Sequence, residues 1–372
     1  MRNESLMVRF RWHAFASQLA CAIRFVPRHL YWFGGRYRLA TLMGLLMTLN
    51  ALFATAPREQ AIPPGSQAWN SYYGVVLVYL GSRYGTGTVI GKRQIGNDYW
   101  LCVLAANHVV AFPENNYRYN GAPLTIAFGN RGGNDPQFNT RIVFTATDSV
   151  NNPADPHRGF FGGDLPDLAV IGVQVNRDIY NRVPVYSLSA APPGNYTDFT
   201  IVGYGDTGWR DLDANNNFIG YTRQRNTGGI KRFANNAVKR RFRDNSPTFD
   251  LARFFRGAFI EWDLTIGAGA VPGEGVTFPG DSGAPYFASA WNDIEIDGNQ
   301  IPILTDAILA VHHGGRDIYK NGDVGWGTEL IQGYRQWIEA KCALVPEPGS
   351  LLVLLSGSGW VLLLYRRRRV SV

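Results

Sequence analysis

The segment Phe278-Pro279-Gly280-Asp281-Ser282-Gly283-Ala284-Pro285 sets one serine between two glycines and directly behind an aspartate. A serine hydroxyl is a weak nucleophile until a neighbouring base removes its proton. The tetrahedral intermediate of acyl transfer also needs backbone N–H groups aimed at its oxyanion, and glycine lets the backbone come that close. The amides of Gly280 and Ser282 are the natural donors here. The same residue types make ordinary surface turns, so the tetrapeptide alone does not decide between chemistry and a loop.

A nucleophilic serine needs an imidazole, and the chain has six histidines: His13, His29, His108, His157, His312 and His313. The first two fall in the N-terminal segment. His108 closes the apolar run Leu104-Ala105-Ala106-Asn107-His108-Val109-Val110, where packing at a strand end can hold its ring. The imidazole in turn needs a carboxylate to fix its tautomer and stabilise the imidazolium. Asp167 opens the apolar strand Asp167-Leu168-Ala169-Val170-Ile171, a place where a carboxylate is costly to bury unless partnered. Asp164 and Asp155 are rivals, but each lies in a polar Gly/Pro loop and is read as solvated.

These residues must be positioned by strands. Short apolar or alternating runs recur at 72–80, 85–91, 99–106, 124–128, 141–150, 167–175, 199–205, 257–264, 301–313 and 325–330, separated by Gly, Asn, Asp and Pro. That spacing predicts an all-β sandwich or barrel. One amphipathic helix is expected over 331–340, with Ile331, Tyr334, Trp337 and Ile338 on one face. Two polar stretches, 115–163 and 206–250, interrupt the strands. Within the second, Asp211–Asn217 has the outline of a calcium loop but carries Asn216 and Thr222 where glycine and glutamate belong, and it is read as a plain loop. The basic run Lys239–Arg243 is expected to be a solvated face or an exposed loop.

The order His108, Asp167, Ser282, with LAANHVV, DLAV and GDSGAP, resembles the trypsin/chymotrypsin family of serine peptidases. Gly85–Gly91, Ala310–Gly315, Gly325–Thr328 and the final helix resemble further family segments, so the likeness runs from about Tyr72 to Ala340. It implies two six-stranded antiparallel β-barrels with a short C-terminal helix. His108, Asp167 and Ser282 would form the triad in the cleft, with Gly280 and Ser282 as the oxyanion donors. Val276, His312, His313, Gly314 and Gly325 would line an open, uncharged substrate pocket suited to an apolar or aromatic side chain. Val109 stands where the family often has cysteine, and Asn107 replaces its usual alanine.

The net charge of +7 belongs to the two ends: residues 1–56 carry +6 and Arg366–Arg369 carry +4, leaving about −3 between them. Nucleic acid is therefore not an expected partner. Cys21 lies in the leader, and Cys102 and Cys342 are read as free thiols rather than a pair. Residues 1–56, with the apolar run Leu39–Ala56, read as a leader or signal segment, and 57–71 as a linker. Residues 72–340 are the expected peptidase domain. In 345–372, Pro346-Glu347-Pro348, a 15-residue apolar run and four arginines resemble the PEP-CTERM sorting signal of Gram-negative bacteria. That resemblance implies transient membrane anchoring, removal by an exosortase-type enzyme, and a periplasmic, cell-surface or extracellular protein. The expectation is a secreted serine endopeptidase that hydrolyses protein or peptide substrates through an acyl-enzyme, with no cofactor and no metal. The alternative is a non-catalytic surface or matrix binding protein on the same scaffold.

Overall fold

The structure is a computed structural model. It describes residues 60–345 apart from 62–63, 65, 112, 132–134, 191, 195–196, 245–254, 272–273, 297–298 and 315–316. The leader and the sorting segment from 346 onward lie outside the described residues.

A two-residue strand, β1 (Gln60–Ala61), and a short helix, α1 (Gln67–Ser71), precede the first half of the fold. There β2 (Val75–Leu80), β3 (Arg83–Ile95), β4 (Asp98–Ala105), β5 (Leu124–Ala127), β6 (Gln137–Thr145) and β7 (Ala169–Val175) close into an antiparallel barrel in the order β2-β3-β4-β7-β6-β5. Closure removes every sheet edge. The barrel is filled by Val76, Val78, Leu101, Val103, Leu124, Ile126, Ile171 and Val173, which the register places on one face and which are all fully buried. Two single-turn helices decorate it: α2 (Asn107–Val110) directly after β4, and α3 (Ala146–Asn151), which begins where the apolar 141–150 run was expected to continue as strand. Thr145 ends that strand by capping α3, its hydroxyl accepting the Asp148 N–H.

After α4 (Arg177–Arg182) the second half begins, built from β8 (Ser187–Leu188), β9 (Asp198–Gly203), β10 (Thr207–Leu212), β11 (Phe218–Gln224), β12 (Arg232–Ala237), β13 (Arg240–Asp244), β14 (Gly257–Asp263), β15 (Pro285–Ile296), β16 (Asn299–Gly314), β17 (Ile318–Lys320) and β18 (Val324–Glu329). Its main sheet runs β1-β12-β9-β15-β16-β18-β14-β13, with β8 added parallel to β16, and β10-β11-β17 make a separate small sheet. The expected all-β, two-barrel architecture holds, the second half being a half-barrel rather than a closed ring. Helix α5 (Gln332–Ala343) ends the fold with Tyr334, Trp337 and Ile338 fully buried, as the periodicity predicts.

Two expectations are corrected. Cys102 on β4 and Cys342 on α5 form a disulfide, with Cα atoms 5.6 Å apart across 240 residues of sequence. The apolar setting of Cys102 concealed this, because only the docking of α5 on the first barrel brings the two together. Residues 206–250 are not one long loop: they supply β10 to β13. The basic run forms the edge strand β13 and is exposed, as expected of a solvated face, while its arginines also reach buried acids. Arg240 grips Glu261 through two 2.8 Å bonds, Arg241 bonds Glu329 and Arg243 bonds Asp164 at 2.7 Å.

Candidate active site

The histidine is presented by a change of direction. β4 ends at Ala105, Ala106 is extended, and α2 turns away at once. Asn107 anchors that turn from a fully buried position, its amide donating to the Tyr117 carbonyl at 3.2 Å and to the Thr147 hydroxyl at 2.5 Å. The departure from alanine at this position thus ties α2 to α3. One residue on, His108 meets Asp167 twice: its backbone N–H donates to Oδ1 at 2.9 Å, and its Nδ1 lies 2.6 Å from Oδ2.

Asp167 is buried just before β7. Burial alone would raise its pKa, but the adjacent His108 and His313 outweigh that and hold the carboxyl well below its usual range. His313, on β16 and fully buried, brings its Nδ1 to 2.9 Å from the same Oδ2. The two rivals have other partners. Asp164 accepts from Tyr334 Oη at 2.6 Å and from Arg243, and is buried rather than solvated. Asp155 accepts from Lys341 Nζ at 2.8 Å and from the His157 N–H, which overcome burial and bring its pKa down to about 2.

The serine turn is stapled to the first barrel through β3. Thr86 N–H donates to the Ser282 carbonyl at 2.8 Å, and Thr86 Oγ1 donates to the Gly280 carbonyl at 3.0 Å while accepting Tyr204 N–H at 3.1 Å. Gly85 lies between Val109 of α2 and the Ser282 carbonyl, with no room for a Cβ. The histidine-bearing and serine-bearing segments therefore meet across one glycine. No hydrogen bond from Ser282 Oγ to His108 is formed among the described residues.

Within the turn, Gly280 (φ 106°) and Gly283 (φ 88°) adopt left-handed backbone that a side chain resists. The amides of Asp281, Gly283 and Ala284 donate to the carbonyls of Phe278, His312 and Asp281. Those of Gly280 and Ser282 have no acceptor among the described hydrogen bonds. Asp281 points inward instead, accepting N–H bonds from Gly205 at 2.6 Å and Phe278 at 2.9 Å. Burial pushes its pKa up to about 6 despite those bonds and the nearby Arg232.

Of the residues expected to line the pocket, His312, His313 and Gly314 follow one another on β16, and Gly325 lies on the paired strand β18. Val276 is buried and borders, with Asp281 and Arg232, a crevice of only about 10 Å³. The space beside Gly325 is filled by the Trp262 indole. Gly314 sits at a bulge of β16 opposite Trp326. His312 is fully buried, 2.8 Å from Tyr286 Oη through its Nδ1, and Trp262 Nε1 donates to that same oxygen at 2.8 Å. An indole only donates, so Tyr286 Oη accepts from Trp262, and the direction of its bond with His312 follows the imidazole tautomer. The Trp262-Tyr286-His312 chain was not foreseen, since nothing in the sequence links residues on three strands. His313 faces Asp167 rather than a pocket.

The donor atoms of His108, Asp167 and His313 lie within 4.8 Å of one another, the one such group of histidine and carboxylate side chains among the described residues. The 2.6 Å contact of His108 with Asp167 is a hydrogen bond, and the 2.9 Å approach of His313 has the distance but not the angle of one. In the β10–β11 turn, Asp213 spends its carboxylate on Asn215 and Asn217 N–H groups and the Asn217 side chain.

No family profile and no curated protein sequence matches the chain. Among solved structures it is similar to a Glu endopeptidase in complex with MPD, at 16% identity and a TM-score of 0.47, covering 78% of this chain and 98% of that one. It is also similar to human heparin binding protein, at 13% identity and a TM-score of 0.44, covering 78% of this chain and 97% of that one.

Proposed function

We propose that the chain is a serine endopeptidase in which Ser282 attacks the scissile carbonyl, His108 takes and returns the proton, and Asp167 orients His108. The amides of Gly280 and Ser282 hold the oxyanion. One observation carries this reading: in a turn whose other amides have acceptors, those of Gly280 and Ser282 have none among the described hydrogen bonds. This turn meets the segment bearing His108 across Gly85, the imidazole itself being held by a buried carboxylate. Preorganised N–H donors of this kind supply the largest single contribution to many acyl transfers. The missing Ser282–His108 bond is consistent with resting enzymes, where catalytic hydrogen bonds commonly close only around substrate. The substrate is a protein or peptide, and the residues require no cofactor.

The Cys102–Cys342 disulfide suits an oxidising compartment and supports export from a Gram-negative cell. On this reading the leader directs the export and an exosortase-type enzyme removes the PEP-CTERM segment. No helix among the described residues is long and apolar enough to cross a membrane.

The open Ser282–His108 contact also fits a second reading, a non-catalytic binding protein on this scaffold. A fluorophosphonate probe separates the two. The endopeptidase labels as wild type and not as Ser282→Ala; a folded wild-type protein that never labels is the binding protein.

A further inference from the structure

Asp167 has two imidazoles on one oxygen. His108 is the expected one; His313 comes from the opposite half of the fold, on β16. The His313 ring is 1% exposed and sits 5.5 Å, centroid to centroid, from that of His108. The rings of Phe255 and Phe259 stand nearly perpendicular to it, with centroids at 5.5 and 6.2 Å. The ionisable groups that face it are His108 and Asp167, with Tyr117 beyond Phe255 and its phenol pKa raised by burial and by Asp167. The Nδ1 approach is short but bent out of hydrogen-bond geometry, and Nε2 has no partner among the described residues.

We propose that His313 is a positioning residue for the reaction: a second imidazole, carrying a proton on Nδ1, that shares the Asp167 carboxylate with His108. The proton follows from the surroundings. An Nδ1 lone pair would be repelled by the carboxylate, and a buried Nε2–H would have no acceptor among the described residues, whereas a bare Nε2 loses less. A carboxylate oxygen has lone pairs for two donors, so both rings are accommodated on Oδ2 while the His108 N–H occupies Oδ1. The device serves two ends. It locks the carboxylate so that the His108 ring cannot swing away from the serine turn, and it withdraws charge from Asp167, moderating how strongly the acid favours the His108 imidazolium. It also links the two halves of the fold at the point where they must cooperate.

The proposal rests on the endopeptidase reading, and the test separates the two. His313→Leu keeps the packing and removes the N–H; His313→Asn returns a donor near the Nδ1 position. An aligned hydrogen bond to a charged group is worth about 1.5–3 kcal/mol, and the bent Nδ1 approach is worth less than that range. Leucine is therefore expected to lower kcat about tenfold with KM little changed. It should also move the acid limb of the kcat/KM profile to higher pH, by up to about one unit, because the undivided Asp167 charge then favours the imidazolium. Asparagine should stay within about threefold of wild type. Independently of turnover, proton NMR should show two far-downfield imidazole N–H signals in the wild type and one in His313→Leu. His313→Leu matching wild type in rate and pH limb, or both variants being equally impaired, would overturn the role assigned to His313. A wild-type protein that shows both signals yet never reacts with fluorophosphonate would instead sink the endopeptidase reading, and the catalytic role of His313 with it.

Discussion

Thr86→Val is the most informative single change at the barrel interface. Valine matches threonine in shape, so the buried site stays filled, but two bonds disappear together: Thr86 Oγ1 to the Gly280 carbonyl at 3.0 Å and Tyr204 N–H to Thr86 Oγ1 at 3.1 Å. Thr86 is fully buried, so water does not readily replace either partner. An unsatisfied buried donor or acceptor costs about 1–3 kcal/mol, which places the loss for the pair at about 2–4 kcal/mol once partial relaxation is allowed. For a domain of this size that is a fall in Tm of roughly 4–10 °C. The functional effect should be sharper than the stability effect. Gly280 is left without the bond that fixes its peptide, and its N–H is one of the two proposed oxyanion donors. Losing one aligned donor costs about a hundredfold or more in kcat, and a loosened donor part of that, so a tenfold to hundredfold fall is expected with KM nearly unchanged. Calorimetry and the rate of Ser282 phosphonylation by a fluorophosphonate, with fluoride leaving, measure both. A variant with wild-type Tm and a wild-type phosphonylation rate would refute the view that β3 holds the serine turn in place.

Three further outcomes follow from groups the site or its supports bury. Asp281, with its pKa raised to about 6 against about 4 in the unfolded chain, binds its proton more tightly when folded, so its contribution to stability is lost as pH rises from about 4 to 6 and Asp281→Asn should flatten that slope in chemical denaturation. Lys231 is fully buried within 4.5 Å of the Trp69 ring and bonded to the Tyr72 carbonyl at 2.8 Å, and burial brings its pKa down to about 7. Its folded form resists protonation, so Lys231→Met should stabilise the protein below pH 7 by a few kcal/mol and progressively less toward pH 10; unchanged stability at pH 6 would contradict this. Cys342→Ala opens a crosslink spanning 240 residues and should cost about 2–5 kcal/mol, read as a lower midpoint in denaturant that reducing agent reproduces in the wild type and does not deepen in the variant.

The legible parts of this molecule were those written locally. Alternating apolar runs gave the barrel strands, the 3.6-residue spacing of Tyr334, Trp337 and Ile338 gave α5, and the costly placement of Asp167 before an apolar strand marked it as a partnered acid, which its 2.6 Å contact with His108 bears out. What could not be read depends on residues distant in sequence meeting in space. Cys102 and Cys342 look like isolated apolar thiols until α5 docks, and the exposed arginines of β13 show no partners in sequence because Glu261, Glu329 and Asp164 come from other elements. The polar 206–250 stretch hid its strands because β10 and β11 carry few apolar residues and pair mainly with each other. Neighbouring His312 and His313 look equivalent in sequence, yet strand alternation sends one to Tyr286 and the other to Asp167.

The central claim is that Ser282 is a nucleophile activated by His108, and covalent trapping tests it most directly. After incubation with a fluorophosphonate, intact mass should rise by one adduct and peptide mapping should place it on Ser282, with the adduct absent from Ser282→Ala and formed far more slowly by His108→Ala. An adduct on another residue, or a folded wild-type protein that stays unmodified, would contradict the account.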